Sequence, residues 1–247
     1  GLTALREIKA LLPHEDIVYF GDTGRLPYGS KSRDTIIRFA QQIIRFLLSK
    51  DVKILVAACG TISSTLPAAV SENLPVPYFG VVEPAAQAAC ALSQNERIGV
   101  IATKTSIRNN AYGRAIHTIR PKARVFGCAC PLLVPLVEDN HIAGDDPIAR
   151  MIVSYYLENL RPHDIDTLIL GCTHYPMLYD IINETLDYSV TLVDPGRETA
   201  RCVQTFLTMH GMLSAREERG KCSYYMTDSA EDFCSVASIF LSDDIRK

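Results

Sequence analysis

Short apolar runs rich in β-branched residues alternate along the chain with longer segments whose apolar positions recur every three or four residues. The short runs fall at 17–20, 54–58, 76–81, 98–102, 124–127, 167–170, 191–193 and 223–226, and each reads as a buried strand. The longer segments read as amphipathic helices. In 35–48, Ile36, Phe39, Ile43, Ile44 and Leu47 mark one face. The same period appears over 3–12, 61–72, 84–93, 106–119, 131–138, 147–159, 176–186, 196–210 and 229–241. Strand–helix alternation over the whole chain predicts an α/β fold of βαβ units on mainly parallel sheets flanked by helices. Ligands of such sheets bind at the carboxyl ends of the strands.

Composition sets the scale. The 247 residues are 47% hydrophobic, enough for one or two α/β units. There are 25 basic and 28 acidic residues, a net charge of −3, and no long basic run, so nothing marks a nucleic-acid partner. No apolar run reaches eighteen residues, so no membrane span is expected. Residues 1–7 (GLTALRE) lack the basic start and apolar core of a signal peptide, and a cytoplasmic location is expected. The eight cysteines, at 59, 90, 128, 130, 172, 202, 222 and 234, are then expected as reduced thiols. Cys128-Ala-Cys130 is their only close pair and no zinc-type spacing occurs, so no metal is expected.

Two stretches repeat one design. Residues 54–61 (ILVAACGT) and 168–174 (LILGCTH) are each an apolar strand leading into Cys, a nearby Thr and a helix. They lie too far apart for a solenoid period and suit two similar α/β halves, with crossings near 81–84 and 190–195. The division expected is 1–83 plus 191–247 as one unit and 84–190 as the other. One continuous doubly wound sheet is the alternative. A thiol at a strand's carboxyl end faces the free N–H groups and positive dipole end of the following helix. That setting lowers a thiol pKa and attracts a carboxylate. Thr61, Ser63, Ser64 and Thr173 add hydroxyl donors. Two such thiols suit the inversion of a stereocentre by proton transfer. One base alone returns the proton to the face it left, whereas a second thiol delivers it to the other face, and the pair exchange thiolate and thiol states. The bland alternative is a pair of small buried cysteines.

Other candidates surround these turns. His174 stands two residues beyond Cys172, where it could assist that thiol, hold substrate, or serve only as a turn residue. Residues 20–30 (FGDTGRLPYGS) run from a strand into a Gly/Pro-rich loop, a ligand-contact candidate. The loop lacks Gly-x-Gly-x-x-Gly spacing, so no dinucleotide is expected. Glu138 follows the apolar stretch 131–137 and by itself reads as a solvated helix end.

Residues 19–32 (YFGDTGRLPYGSKS), 58–61 (ACGT), 171–176 (GCTHYP) and 193–196 (VDPG) together resemble the aspartate/glutamate racemase family, its glutamate racemases above all, in order and over essentially the whole chain. The resemblance implies two pseudo-symmetric domains with the active site in the cleft between them. It also implies no cofactor, a bacterial enzyme that is usually a homodimer, and D-glutamate made for peptidoglycan and hence for cell-wall biogenesis and cell shape. It makes Cys59 and Cys172 the acid/base thiols, with His174 and Glu138 supporting Cys172. It makes Tyr28, Gly29, Gly60, Thr61, Thr173 and His174 substrate contacts. Related aspartate racemases typically carry Glu in place of His174, which favours glutamate. Two departures stand out. The family's first motif, an apolar strand followed by Asp-Ser-Gly, would precede Gly1. Without that strand the sheet is expected to have two unpaired edges and a gap in the core. Gly60 stands where the family usually has Asn, and loss of an oriented hydrogen bond to a charged substrate, worth about 1.5–3 kcal/mol, is expected to weaken binding. The alternatives are a racemase of another acidic amino acid, a non-catalytic binding module of the same fold, and a thiol redox protein.

Overall fold

The computed structural model describes residues 1–241. In chain order the elements are α1 (Leu2–Leu11), β1 (Ile17–Gly21), α2 (Arg33–Leu48), β2 (Leu55–Ala57), α3 (Gly60–Thr65), α4 (Ala68–Ser71), β3 (Tyr78–Gly80), α5 (Val82–Leu92), β4 (Arg97–Ala102), α6 (Lys104–Asn109), α7 (Ala111–Ile119), β5 (Arg124–Ala129), α8 (Leu133–Glu138), α9 (Pro147–Leu157), β6 (Thr167–Leu170), α10 (Tyr179–Thr185), β7 (Thr191–Val193), α11 (Pro195–Met209), β8 (Cys222–Met226) and α12 (Ala230–Phe240). Every ladder is parallel. The strands form a four-stranded sheet of order β5-β4-β6-β7 and two pairs, β1 with β8 and β2 with β3.

The four-stranded sheet explains the unbroken apolar runs. Helices cover both of its faces, so successive residues of a strand are buried on alternate sides. In β6, Leu168 and Leu170 pack with Leu133, Val153 and Ile182 from α8, α9 and α10. Ile169 turns the other way, toward Val82 and Ala86 of α5 and Ile116 of α7. In β4, Ile101 joins the first face, while Ile98, Val100 and Ala102 join the second. β7 closes one edge of this sheet, although residues 191–193 fall in the other unit of the division read from sequence. Residues 242–247 of that unit lie outside the described ones. Among the described residues the pairs β1·β8 and β2·β3 have no ladder between them.

Two expected helices are broken. The stretch 61–72 divides at Leu66-Pro67, because proline offers no amide and holds the preceding residue extended; Leu66 has ψ 126°. The stretch 106–119 divides at Asn110, whose φ of 47° and ψ of 35° are left-handed, a conformation asparagine tolerates better than most. Side chains start several helices at the carboxyl ends of strands or loops. Thr103 accepts from the Ser106 amide ahead of α6, Asp146 from the Ile148 and Ala149 amides ahead of α9, and Asp194 from the Gly196 and Arg197 amides ahead of α11. Pro147 and Pro195 occupy the first helical position, where no amide partner is lost.

Candidate functional site

Both thiols stand two residues beyond the end of a parallel strand, Cys59 after β2 and Cys172 after β6. Their surroundings differ. Cys59 is the residue ahead of α3, and the Ile62 and Thr61 amides point at its sulfur. Burial nevertheless dominates and pushes the Cys59 thiol above its usual range. Burial also acts on Cys172, but there it is outweighed. Its Sγ lies 3.6 Å from His174 Nδ1, and the hydrogen bond and charge of that ring hold the thiol below its usual range. Each sulfur lies in the electrostatic field of the other.

The far side of the histidine is also engaged. His174 Nε2 lies 3.0 Å from Glu138 Oε1 at the end of α8, and the ring meets Phe240 edge-on with centroids 5.7 Å apart. Burial works against a charged imidazole. The hydrogen bonds to Cys172 and Glu138 overcome it and push His174 up to about 9. With its pKa near 9 the ring carries a proton on both nitrogens at neutral pH, one facing the Cys172 sulfur and the other the Glu138 carboxyl. Glu138 is thus not simply a solvated helix end; its carboxylate supports the histidine that faces Cys172.

The hydroxyl-bearing candidates come together from distant stretches. Thr61 Oγ1 lies 3.2 Å from Thr103 Oγ1, and Thr103 in turn donates to Ser106 Oγ at 3.0 Å. Thr105 donates to the Gly29 carbonyl at 2.6 Å, which fastens the 27–30 loop onto α6. Tyr28 is buried, and its hydroxyl donates to Asp22. Its side chain is therefore already partnered and turned toward Asp22. Thr173 is buried beside Cys172; its carbonyl accepts from Thr3 Oγ1 at 2.6 Å and its hydroxyl lies 3.0 Å from the Gly1 nitrogen. Thr103 is a candidate that motif reading missed. The available signal was its place directly after β4, at the end of a parallel strand and ahead of a helix.

Gly60 has a reason beyond a missing side chain. A Cβ built there would stand 2.5 Å from the Gly171 carbonyl oxygen, closer than real Cβ atoms come. The two thiol turns meet backbone to backbone at this point, and only glycine permits that approach.

Neighbouring thiols at the ends of parallel strands, one of them with its pKa lowered by a histidine, are equipment for taking a proton from carbon and returning it. The chain belongs to the Asp/Glu/hydantoin racemase family, whose model matches residues 3–203. It is 44% identical over 241 residues to the glutamate racemase of Geobacter metallireducens, covering 98% of this chain and 88% of that protein. Among solved structures, it is similar to glutamate racemase from Thermus thermophilus in complex with β-chloro-D-alanine, with TM-score 0.89, 40% identity and coverage of 99% and 90% of the two chains. Glutamate racemase from Francisella tularensis in complex with D-glutamate matches with TM-score 0.90, 35% identity and coverage of 98% and 90%. Among the described residues no helix is long and apolar enough to cross a membrane.

Proposed function

We propose that this protein interconverts L- and D-glutamate by transferring the α-proton between Cys172 and Cys59. The observation that carries the mechanism is the chain of contacts from Cys172 Sγ through His174 to Glu138, at 3.6 and 3.0 Å, next to a second thiol held neutral by burial. Cys172 begins as thiolate and Cys59 as thiol. The thiolate removes the α-proton from one face, the C–H electron pair passes into the α-carboxylate, and the Cys59 thiol protonates the opposite face. The product leaves with Cys172 protonated and Cys59 ionised, the state that runs the reverse reaction. Thr61, Thr173, His174, Gly60 and the Tyr28-Gly29 loop line the substrate position in this reading. The units are 1–83 plus 191–247 and 84–190, with the site in the cleft between them and β7 completing the second unit's sheet.

The biological setting follows from the same reading. The D-glutamate is destined for peptidoglycan, and the enzyme works as a cytoplasmic homodimer, a state that sedimentation velocity measures directly. The eight free cysteines suit a reducing compartment.

The test is turnover in D2O. L-glutamate is expected to lose its optical rotation and its α-proton NMR signal together. Aspartate, one methylene shorter, is expected to react about 10–200-fold more slowly. Glutamate that keeps its α-proton under these conditions would remove the proposal.

The Gly60 contact yields a further expectation. In Gly60→Ala the added methyl meets a backbone carbonyl, so the two thiol turns must separate. Displacements of this kind cost up to about 100-fold in rate, and kcat/KM for glutamate is expected to fall about 10–100-fold. An unchanged kcat/KM would show that the turns do not need this close approach.

A further inference from the structure

The buried Tyr112 hydroxyl at this site has no partner among the described residues. Tyr112 sits in the first turn of α7 and is 2% exposed. Among the described residues its hydroxyl makes no hydrogen bond. An orphaned buried hydroxyl costs stability, and a native chain keeps one where something else uses it. Its position says what that is. A Cβ built on Gly60 would stand 3.7 Å from the Tyr112 hydroxyl oxygen, and a Cβ built on Gly171 would stand 2.9 Å from the Tyr112 ring. Gly60 follows one thiol and Gly171 precedes the other. The phenol therefore lies at the seam where the two thiol turns meet, its hydroxyl beside Gly60 and its ring beside Gly171.

We propose that the Tyr112 hydroxyl is a catalytic hydrogen-bond donor to the α-carboxylate of the bound amino acid. The inference rests on the racemase reading above. A donor at the seam of the two thiol turns faces the groups attached to the reacting α-carbon. Of these, the ammonium has no lone pair to accept, and the carboxylate does. When the α-proton leaves for a thiolate, the C–H electron pair delocalises into that carboxylate as an ene-diolate. Tyr112 keeps its own proton and only strengthens its hydrogen bond as the oxygen gains charge. Burial first, and then the charges of Cys172 and Cys59, hold the phenol protonated well above the usual tyrosine range. One negative charge, on a thiol or on the ene-diolate, is present beside the phenol at every stage of turnover, so it remains a donor in both directions.

The test is Tyr112→Phe, which removes one oxygen and leaves the packed ring. Loss of one preorganised donor to a developing oxyanion costs about 10²–10³-fold in kcat, and that loss is expected here with a smaller change in KM. A hydroxyl that only supports the fold would lower the melting temperature when removed. Because this one is unpaired, the ligand-free variant is expected to melt at or above the parent temperature. The thermal shift produced by D-glutamate is expected to shrink. A variant with parent kcat and KM overturns the assignment, as does a loss of activity accompanied by a lower ligand-free melting temperature. If the parent protein itself does not racemise glutamate, the racemase reading fails on its own. The D-glutamate thermal shift then decides for Tyr112: a smaller shift in the variant supports a ligand donor, and an equal shift rejects it.

Discussion

Cys172→Ser and Cys59→Ser will each lose racemisation of glutamate, by about 10²–10⁴-fold, the usual worth of a positioned acid or base. The two variants will fail differently. Cys172 is the thiol whose pKa His174 lowers, from 3.6 Å away, whereas burial raises that of Cys59. In Cys59→Ser the Cys172 thiolate still removes the α-proton from its own face and returns a solvent deuteron to it. One enantiomer therefore exchanges its α-proton in D2O without inverting, and the other stays inert. In Cys172→Ser the thiol that remains begins protonated, and a serine hydroxyl is not ionised at neutral pH. Exchange of either enantiomer should be much slower than in Cys59→Ser. Proton NMR in D2O with parallel polarimetry reads both quantities. Faster exchange in Cys172→Ser than in Cys59→Ser would reverse the assignment of the resting base. Parent rates in both variants would end the two-thiol mechanism.

The second large effect belongs to the histidine and its carboxylate. The folded His174 pKa is raised, to about 9, against an ordinary value of 6.5. A raised histidine contributes its favourable interaction fully below 6.5 and loses it as pH rises through about 9. The thiolate–imidazolium pair is therefore intact from neutral pH to pH 8, and racemisation should decline on an alkaline limb near 9. His174→Asn removes the charge that lowers the Cys172 thiol. At pH 7–8 kcat should fall about 10²-fold, with part of the loss recovered at higher pH, where the unassisted thiol ionises. Glu138→Gln leaves the histidine in place but weakens one of the two bonds that raise it, so the alkaline limb should move to lower pH. A pH–rate profile on the three proteins checks these signs. A His174→Asn profile that overlays the parent would show that the histidine does not set the thiol's ionisation.

Much of this site was readable as spacing. The strand–Cys–Thr turns, His174 and the alternation of β and α elements are local features, written within a few consecutive residues. Burial on both faces of β6 appears as the unbroken run Thr167–Leu170. Elsewhere the local signal misled. The apolar period runs straight through 106–119, yet Asn110 turns left-handed and restarts the helix one residue before Ala111. Periodicity reports which face is apolar and is blind to one residue's φ. Pro67 marks the break in 61–72, which the apolar pattern on either side does not show. The pairing of β7 with β6 was likewise invisible, since strand order depends on edges brought together from different stretches of chain.

Glu138 and Gly60 show the same division within the site. As a residue in a row, Glu138 is one more charge after an apolar segment. Folding carries it to 3.0 Å from His174, thirty-six positions away, on the side of the ring opposite Cys172. Gly60 in sequence is the loss of an amide side chain. In the fold it is the point where one thiol turn meets the carbonyl of the other, with no room for a Cβ. Thr103, just after β4, meets Thr61, and Tyr112, on α7, meets the glycines beside the two thiols; neither carries a motif of its own. The sequence by itself determined the α/β class, the two strand-end thiols and the histidine beside one of them, because periodicity and turn chemistry act over a few neighbouring residues. Only the tertiary structure decided which thiol ionises more readily, what stands behind the histidine and which phenol is left unpaired beside the turns. Burial and electrostatic fields act through space, between groups the chain order keeps apart.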